Sequence, residues 1–364
     1  MYPEQHLFKN GHIARCQVCN SAKLHMILDL GHQPPCDSLL SKSMLNEPET
    51  TYPLRMCWCQ ECSLVQLDYC IDANIVYYPG YPYRSGITKE LVEYQKSISE
   101  SLVAKYNLTS ENLVVDIGSG DGTLLMGFKA RGIRVLGVEP TNIAKIAIES
   151  GVDTLQSFFT IEAAEEIKKK YGEASVITAT NMFAHNATIG EVVVGIENLL
   201  KDEGIFVFEN HYLLDVIQGG QFDTIYHEHL RTYSLKSVIK LFSYYNFTVV
   251  DVERGDRYGG NIRVYVRKGK GRAVNENVSN LLKLEEKSGL YKLETYTTFA
   301  ERVEKAKEEF VGFLVQAKKE GKYVVANSCP GRASTLLNYY GVDKDWIPYI
   351  AEQPTSLKLG MYLP

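Results

Sequence analysis

The sequence predicts an α/β protein: a Rossmann-like, doubly wound core, a small N-terminal β module and a partial C-terminal α/β domain. Three observations predict it. The apolar run Leu113–Ile117 passes into the glycine-rich turn Gly118-Ser119-Gly120-Asp121-Gly122 and then into a helical pattern. From there, apolar strand-like runs alternate with helical ones to about residue 250, as a doubly wound sheet requires. Seven of the eight cysteines lie before residue 71, which marks off a first module of different character. A chain of 364 residues should hold two or three domains; the boundaries expected here are 1–75, 76–268 and 269–364.

The composition is 45% hydrophobic and 23% charged, a globular balance that can bury sizeable cores. A net charge of -5 gives no reason to expect nucleic acid as a partner. No run approaches the roughly 18 apolar residues of a membrane span. The start, Met1-Tyr2-Pro3-Glu4-Gln5-His6, lacks the basic and apolar regions of a signal peptide. The expectation is a soluble cytoplasmic protein, whose cysteines should not form a disulfide framework.

The cysteines of the first module have a metal-binding pattern. Cys16-Gln17-Val18-Cys19 and Cys59-Gln60-Glu61-Cys62 are separated by 39 residues. Two such pairs can wrap one zinc tetrahedrally, leaving no position open for water, so this zinc is expected to be structural. Cys57 stands close enough to substitute as a ligand, although Cys-x-Cys geometry is poorer. Cys36 and Cys70 read as ordinary small residues. Leu28–Gly31, Tyr52–Met56 and Ser63–Leu67 read as short strands.

The bridge to the core carries Tyr77, Tyr78, Tyr81 and Tyr83 among prolines and glycines that exclude a helix. These rings either pack over a domain junction or line a polar ligand pocket. A helix follows with Thr88 as N-cap and Leu91, Tyr94, Ile98, Leu102 and Tyr106 on one face.

In the core, the glycines follow Gly-x-Gly-x-Gly, not the Gly-x-Gly-x-x-Gly of a dinucleotide turn, and Asp116 precedes them. The second apolar run, Val135–Val138, leads into Glu139, about twenty residues after the glycines, where an acid can take both hydroxyls of a ribose. Together these features are those of a class I S-adenosylmethionine-dependent methyltransferase fold. Asp116, Gly118, Gly120, Gly122, Glu139 and Asn181 are the candidate cofactor residues. Helices are expected at Asn142–Glu149, Ile161–Lys170 and Ile189–Leu200, and strands at Ser175–Ala179 and Ile205–Asn210. Just past the first of these strands stands Asn181-Met182-Phe183-Ala184-His185, so His185 is placed to face a substrate.

Tyr226-His227-Glu228-His229 packs two imidazoles, a carboxylate and a phenol into four residues. It is too polar for core and too rich in groups that titrate near neutrality for ordinary surface. It reads as an acid/base centre, as a His-rich loop that holds an acid, or as a His-x-His chelate.

Taken together, the paired Cys-x-x-Cys motifs, the cofactor turn, the Asn-x-x-Ala-His strand end and the block Asp223-Thr224-Ile225-Tyr226-His227-Glu228-His229 resemble one family nearly from end to end. It is the sugar C-methyltransferases that install a methyl branch at C3 of nucleotide-linked 4-keto-6-deoxy sugars. The resemblance implies a structural zinc and a TDP- or GDP-linked keto sugar as substrate. It also implies His229 as the catalytic residue, supported by Tyr226, Glu228 and His185, with a bridge tyrosine, Tyr81 or Tyr83, contributing. The chemistry agrees: a C3–H beside a ketone is acidic enough for a histidine base to remove, and a phenol or second imidazole can stabilise the oxyanion. A carboxylate is expected to orient the base, and no metal is required. The other readings are a methyltransferase acting on a sugar hydroxyl or amine, and an inactive nucleotide-sugar-binding homologue.

In the C-terminal part, Arg254–Val266 reads as a strand, a glycine turn and a returning strand. Residues 270–290 read as a linker. Phe299, Val303, Ala306, Phe310, Phe313, Leu314 and Ala317 mark a long amphipathic helix. Tyr323–Asn327 reads as a strand that enters the turn Ser328-Cys329-Pro330-Gly331 and another helix, an arrangement suited to nucleotide phosphate at the helix N-terminus. This turn departs from the family's Ala/Gly-rich, lysine-bearing form; Arg332 is the group left to pair with phosphate. The last domain is expected to be shorter than in the family by roughly one strand–helix–strand set.

Overall fold

The computed structural model describes residues 3–6, 10–78, 81 and 84–364. They cluster into two compact units. The first comprises Met1–Phe8, Tyr77–His211 and Leu235–Leu284; the second comprises Lys9–Val76, Tyr212–Ser234 and Glu285–Pro364.

The first unit is built on a seven-stranded sheet. Its strands are β1 (Leu113–Ile117), β2 (Arg134–Val138), β3 (Thr154–Leu155), β4 (Ala174–Thr180), β5 (Leu200–His211), β6 (Phe247–Gly255) and β7 (Asn261–Lys268). Their spatial order is β6-β7-β5-β4-β1-β2-β3. The strands β3, β2, β1, β4 and β5 run parallel, and β7 enters antiparallel between β5 and β6. Val114, Val115, Val176 and Ile177 are fully buried, as expected of strands covered on both faces.

Helices cover the sheet. Helix α1 (Lys89–Tyr106) begins where Thr88 Oγ1 accepts from Leu91 N at 3.4 Å, an N-cap bond. It ends at Asn107, which turns left-handed at φ 49°. Ile98 and Leu102 of α1 pack with Leu124, Leu125 and Phe128 of α2 (Thr123–Lys129) over Val114, Val176, Ile205 and Val207. Elsewhere in the unit, Phe183 packs on Phe208 at 4.6 Å and stacks with Phe242 at 5.9 Å. The first helix after β2 is α3, Ala144–Glu149, two residues shorter at its start than the pattern suggests.

The second unit holds a four-stranded antiparallel sheet. Leu24–Gln33, Tyr52–Cys59 and Val65–Leu67 follow one another, and Arg231–Thr232 is added to the edge against Val65–Leu67. Trp58 lies 5.0 Å from Tyr296 of the 27-residue helix Leu293–Lys319. A parallel pair, Ala326–Asn327 with Ile350–Ala351, precedes and follows the helix Arg332–Tyr340.

Two expectations are corrected. Residues 270–290 are not simply a linker, because Glu276–Lys287 is helical. Its pattern is obscured by Glu285, a fully buried acid that accepts hydrogen bonds from Tyr212 at 3.0 Å and Tyr291 at 2.7 Å. The expected strand Tyr323–Asn327 is reduced to Ala326–Asn327, with Tyr323 and Val325 exposed.

Candidate active site

In the first unit the turn after β1 is the candidate cofactor cradle. Gly118, Gly120 and Gly122 all take positive φ, 71°, 53° and 79°. Gly118 illustrates why no side chain is tolerated: a Cβ there would lie 2.5 Å from Met182 Cγ, and its φ is unfavourable to other residues. Gly118 N and Ser119 N donate to Val138 O at 2.8 and 3.1 Å, which ties the turn to the end of β2. Gly120 N donates to Glu139 Oε2 at 3.0 Å, and Thr141 N and Oγ1 donate to Glu139 Oε1 at 2.9 and 2.6 Å. The acid is therefore held in one orientation beside the glycines.

Asp116 is buried in β1 and accepts from Thr178 Oγ1 at 2.6 Å. Burial pushes its carboxyl up to about 7; the Thr178 bond opposes this and the charge of Glu139 adds to it. Asn181 follows β4 with a left-handed φ of 54°, and its N–H donates to Glu209 O at 2.7 Å. Asn181 Oδ1 and Ser119 Oγ are buried with no partner among the described residues. A glycine cradle, an oriented acid at the end of β2 and two unpartnered oxygens fit an adenosyl cofactor.

His185 lies in the turn after Asn181, closed by His185 N donating to Met182 O at 2.8 Å. Its Nδ1 is 3.0 Å from Tyr77 Oη, and the two rings are nearly parallel at 14°. Burial, with the charge of His211, holds this imidazole well below its ordinary pKa, so it is neutral near pH 7. Tyr81 packs its ring on Tyr77 at 5.6 Å. Tyr83 lies outside the described residues. Tyr77 is in hydrogen-bond contact with His185, a contact that spacing alone did not single out from four neighbouring rings.

In the second unit the four cysteines meet. The Sγ atoms of Cys16, Cys19, Cys59 and Cys62 all lie within 4.8 Å of one another, with Cys16–Cys62 and Cys19–Cys59 each at 3.5 Å. Tetrahedral zinc with Zn–S near 2.3 Å needs sulfurs about 3.8 Å apart. The two knuckles share one local geometry. Asn20 N donates to Cys16 O and Ser63 N to Cys59 O, both at 2.9 Å, and both of these residues are left-handed, at φ 61° and 58°. Val18 N and Cys19 N also donate to Cys16 Sγ at 3.4 Å. The set fits zinc. Cys57 is not part of it; burial pushes that thiol up to about 12.

The Tyr226–His229 block is a turn closed by His229 N donating to Tyr226 O at 2.8 Å. His229 is buried. Its Nδ1 donates to Thr224 O at 2.6 Å, so the neutral ring carries its lone pair on Nε2. Tyr226 lies over it, with ring centroids 4.0 Å apart. The Thr224 carbonyl fixes the tautomer of this ring. Glu228 is buried and accepts from the Cys36 thiol at 3.9 Å. Burial first, then the charges of Glu228 and Asp37, keep that thiol protonated. Cys36 is therefore more than a small filler. His227 donates from Nε2 to Pro53 O at 3.3 Å, while its Nδ1 is buried without a partner among the described residues. Burial pushes it down to about 4.

The turn expected to hold phosphate contains carboxylates of its own chain. Asp37 lies so close that a Cβ on Gly331 would be 2.7 Å from its Oδ2, and Lys358 Nζ donates to Asp37 Oδ1 at 2.9 Å. Cys329 N donates to Glu352 Oε1 at 2.5 Å, and Arg332 is paired with Asp223 at 3.4 Å. A phosphate there would meet like charge, so this geometry does not support the expectation.

A curated protein, the C-methyltransferase NovU of Streptomyces niveus, is 32% identical over 97% of this chain and 84% of its own length. The chain belongs to the C-methyltransferase family. Three family descriptions agree along its length: "Putative zinc binding domain" over residues 16–77, "Methyltransferase domain" over 92–252 and "C-methyltransferase C-terminal domain" over 256–364. Solved structures similar to part of the chain include a SAM-dependent methyltransferase from Anabaena variabilis ATCC 29413 (13% identity, 48% of this chain and 84% of that one, TM-score 0.38). Another is the magnesium protoporphyrin IX methyltransferase ChlM of Synechocystis PCC 6803 with bound SAH (14%, 49% and 83%, TM-score 0.38). The protein is an S-adenosylmethionine-dependent C-methyltransferase of class I fold with an N-terminal zinc-binding domain, and its cofactors are S-adenosylmethionine and zinc. Among the described residues no helix is long and apolar enough to cross a membrane.

Proposed function

We propose that the enzyme methylates C3 of a nucleotide-linked 4-keto-6-deoxy sugar, TDP- or GDP-linked, through an enolate formed by His229. The observation that carries this reading is the 2.6 Å bond from His229 Nδ1 to Thr224 O. It leaves the lone pair on Nε2, and a base takes its proton through such a lone pair.

In this reading His229 Nε2 takes the proton from C3, and the electron pair moves into the enolate. Tyr226, tilted against the ring with centroids 4.0 Å apart, limits its rotation. Glu228, bonded to Cys36, stabilises the imidazolium as it forms. The neutral His185 and its partner Tyr77 supply a hydrogen bond to the developing oxyanion. When bound, S-adenosylmethionine supplies the electrophilic methyl group. Asp116, Gly118, Gly120, Gly122, Glu139 and Asn181 are the residues proposed to hold it, with Glu139 on the ribose hydroxyls. Cys16, Cys19, Cys59 and Cys62 would hold zinc for folding, with no part in proton transfer.

The test is a panel of TDP- and GDP-linked 4-keto-6-deoxy sugars incubated with S-adenosylmethionine, the products being read by mass spectrometry and NMR. One new carbon-bound methyl at C3 is expected, with deuterium entering C3 in D2O even without cofactor. His229→Ala should abolish both. A methyl on oxygen or nitrogen, or full exchange in His229→Ala, would overturn the reading.

A further inference from the structure

Asp121 stands between Gly120 and Gly122 in the cofactor turn, yet its carboxylate is bonded to the tyrosine-bearing segment that precedes α1. It is buried, with 3% of its surface exposed. Oδ2 accepts from Gly86 N at 2.8 Å, and Oδ1 accepts from Thr123 Oγ1 at 2.6 Å. Arg84 Nε lies 3.8 Å from the same Oδ2. The approach leaves no room for a side chain at residue 86: a Cβ there would lie 2.8 Å from Asp121 Oδ2 and 3.1 Å from Thr123 Oγ1. The neighbouring Ser85 hydroxyl lies 3.7 Å from where a Cβ on Gly120 would stand.

The same stretch of chain carries Tyr77, bonded to His185, and Tyr81, packed on Tyr77. Arg84 and Gly86 are thus held at the turn after β1, and Tyr77 at the turn after β4. We propose that Asp121 is a positioning residue, a latch that ties the cofactor turn to the segment bearing Tyr77 and Tyr81. A displacement of the cofactor turn is then passed to the tyrosines. Acceptor-binding groups held this way are set by the same backbone that seats the cofactor, which is how a rigid element fixes a reacting geometry. The inference rests on the proposed role of His185 and Tyr77 in holding the acceptor.

Hydrogen exchange on the full chain, read by mass spectrometry over residues 84–88 with and without S-adenosylhomocysteine, tests it. Asp121→Ala should speed exchange of this stretch by about fivefold to tenfold, the loss of one buried bond. Asp121→Asn, whose amide can accept from Gly86 N and donate to Thr123 Oγ1, should restore protection. Asp121→Ala and Gly86→Ala should each lower acceptor kcat/KM by about tenfold to a hundredfold while S-adenosylhomocysteine affinity moves less than about threefold. The double variant should be no worse than the weaker single one. Unchanged exchange in Asp121→Ala, losses that multiply in the double variant, or a loss confined to cofactor affinity would overturn the latch. Should Asp121→Ala not fold, Gly86→Ala and Asp121→Asn decide it by the same exchange measurement. A wild type inactive on keto-sugar nucleotides would instead overturn the proposed substrate, leaving the exchange result to decide the latch.

Discussion

Asp116→Asn is expected to change how the stability of the cofactor-free protein depends on pH. Asp116 is 1% exposed, and the Thr178 hydroxyl at 2.6 Å is its hydrogen-bond donor. Burial raises its carboxyl from 3.8 to about 7 in the folded state. An acid raised on folding holds its proton more tightly in the native state than in the unfolded chain. Stability therefore falls as pH rises from about 4 to about 7 and is level above that. Each tenfold preference is about 1.4 kcal/mol, so the cost is about 1.5 kcal/mol at pH 5 and on the order of 4 kcal/mol above pH 7. Asparagine keeps the shape and can accept from Thr178 without ionising. The stability gained by the variant over wild type should thus grow by about 2–3 kcal/mol between pH 5 and pH 8. Urea denaturation at one-unit pH steps measures this as a difference, in which every other titrating group cancels. A gain that is constant across the range, or one that shrinks as pH rises, would refute the claim that burial controls this carboxyl.

His227 should act in the opposite direction: its folded value of about 4 lies below the ordinary 6.5, so protonation destabilises the protein as pH falls from about 6.5 to about 4, by about 3 kcal/mol. His227→Leu should flatten that acid limb in the same denaturation series and keep methyl transfer, whereas His229→Ala should lower kcat by about a hundredfold or more. Gly118→Ala combines a left-handed backbone with a Cβ 2.5 Å from Met182 Cγ; a stability loss of about 2–4 kcal/mol and weakened S-adenosylhomocysteine binding by calorimetry are expected. Cys36→Ala should lower turnover by a few-fold through Glu228, at about 1 kcal/mol of lost hydrogen bonding, and Cys36→Ser should recover it. Elemental analysis should find about one zinc per chain, and Cys59→Ser should lose it and expose residues 16–77 to protease.

What could be read from the chain was chemistry repeated at short range. A glycine turn between an acid-bearing strand and a second acid about twenty residues on is a local pattern, and the structure places Gly120 N and Glu139 Oε2 3.0 Å apart. Two Cys-x-x-Cys pairs are likewise local, and each knuckle closes on its own backbone bond. The groups that orient the candidate catalytic residues are of another kind. Thr224 holds His229 through a carbonyl that every residue possesses, so no side-chain pattern could reveal it. Cys36 reaches Glu228 across 192 residues, and Gly86 reaches Asp121 across 35; both pairings depend on how the chain folds back. Glu285 misled for a related reason: a charged residue in a polar stretch reads as solvent-facing, whereas hydrogen bonds from the phenols of Tyr212 and Tyr291 help make its burial tolerable. The same logic separates the two histidines of the block. By residue type alone His227 and His229 are equivalent imidazoles two residues apart, and at the level of sequence only the family resemblance favours His229. The carbonyl each one meets, Pro53 O at 3.3 Å or Thr224 O at 2.6 Å, decides which nitrogen keeps the lone pair. On His227 it is Nδ1, buried and unpartnered among the described residues, where a proton would be gained only at the expense of the fold. On His229 it is Nε2, on a ring flanked by Tyr226, and that difference agrees with the choice of the second histidine as the proposed base.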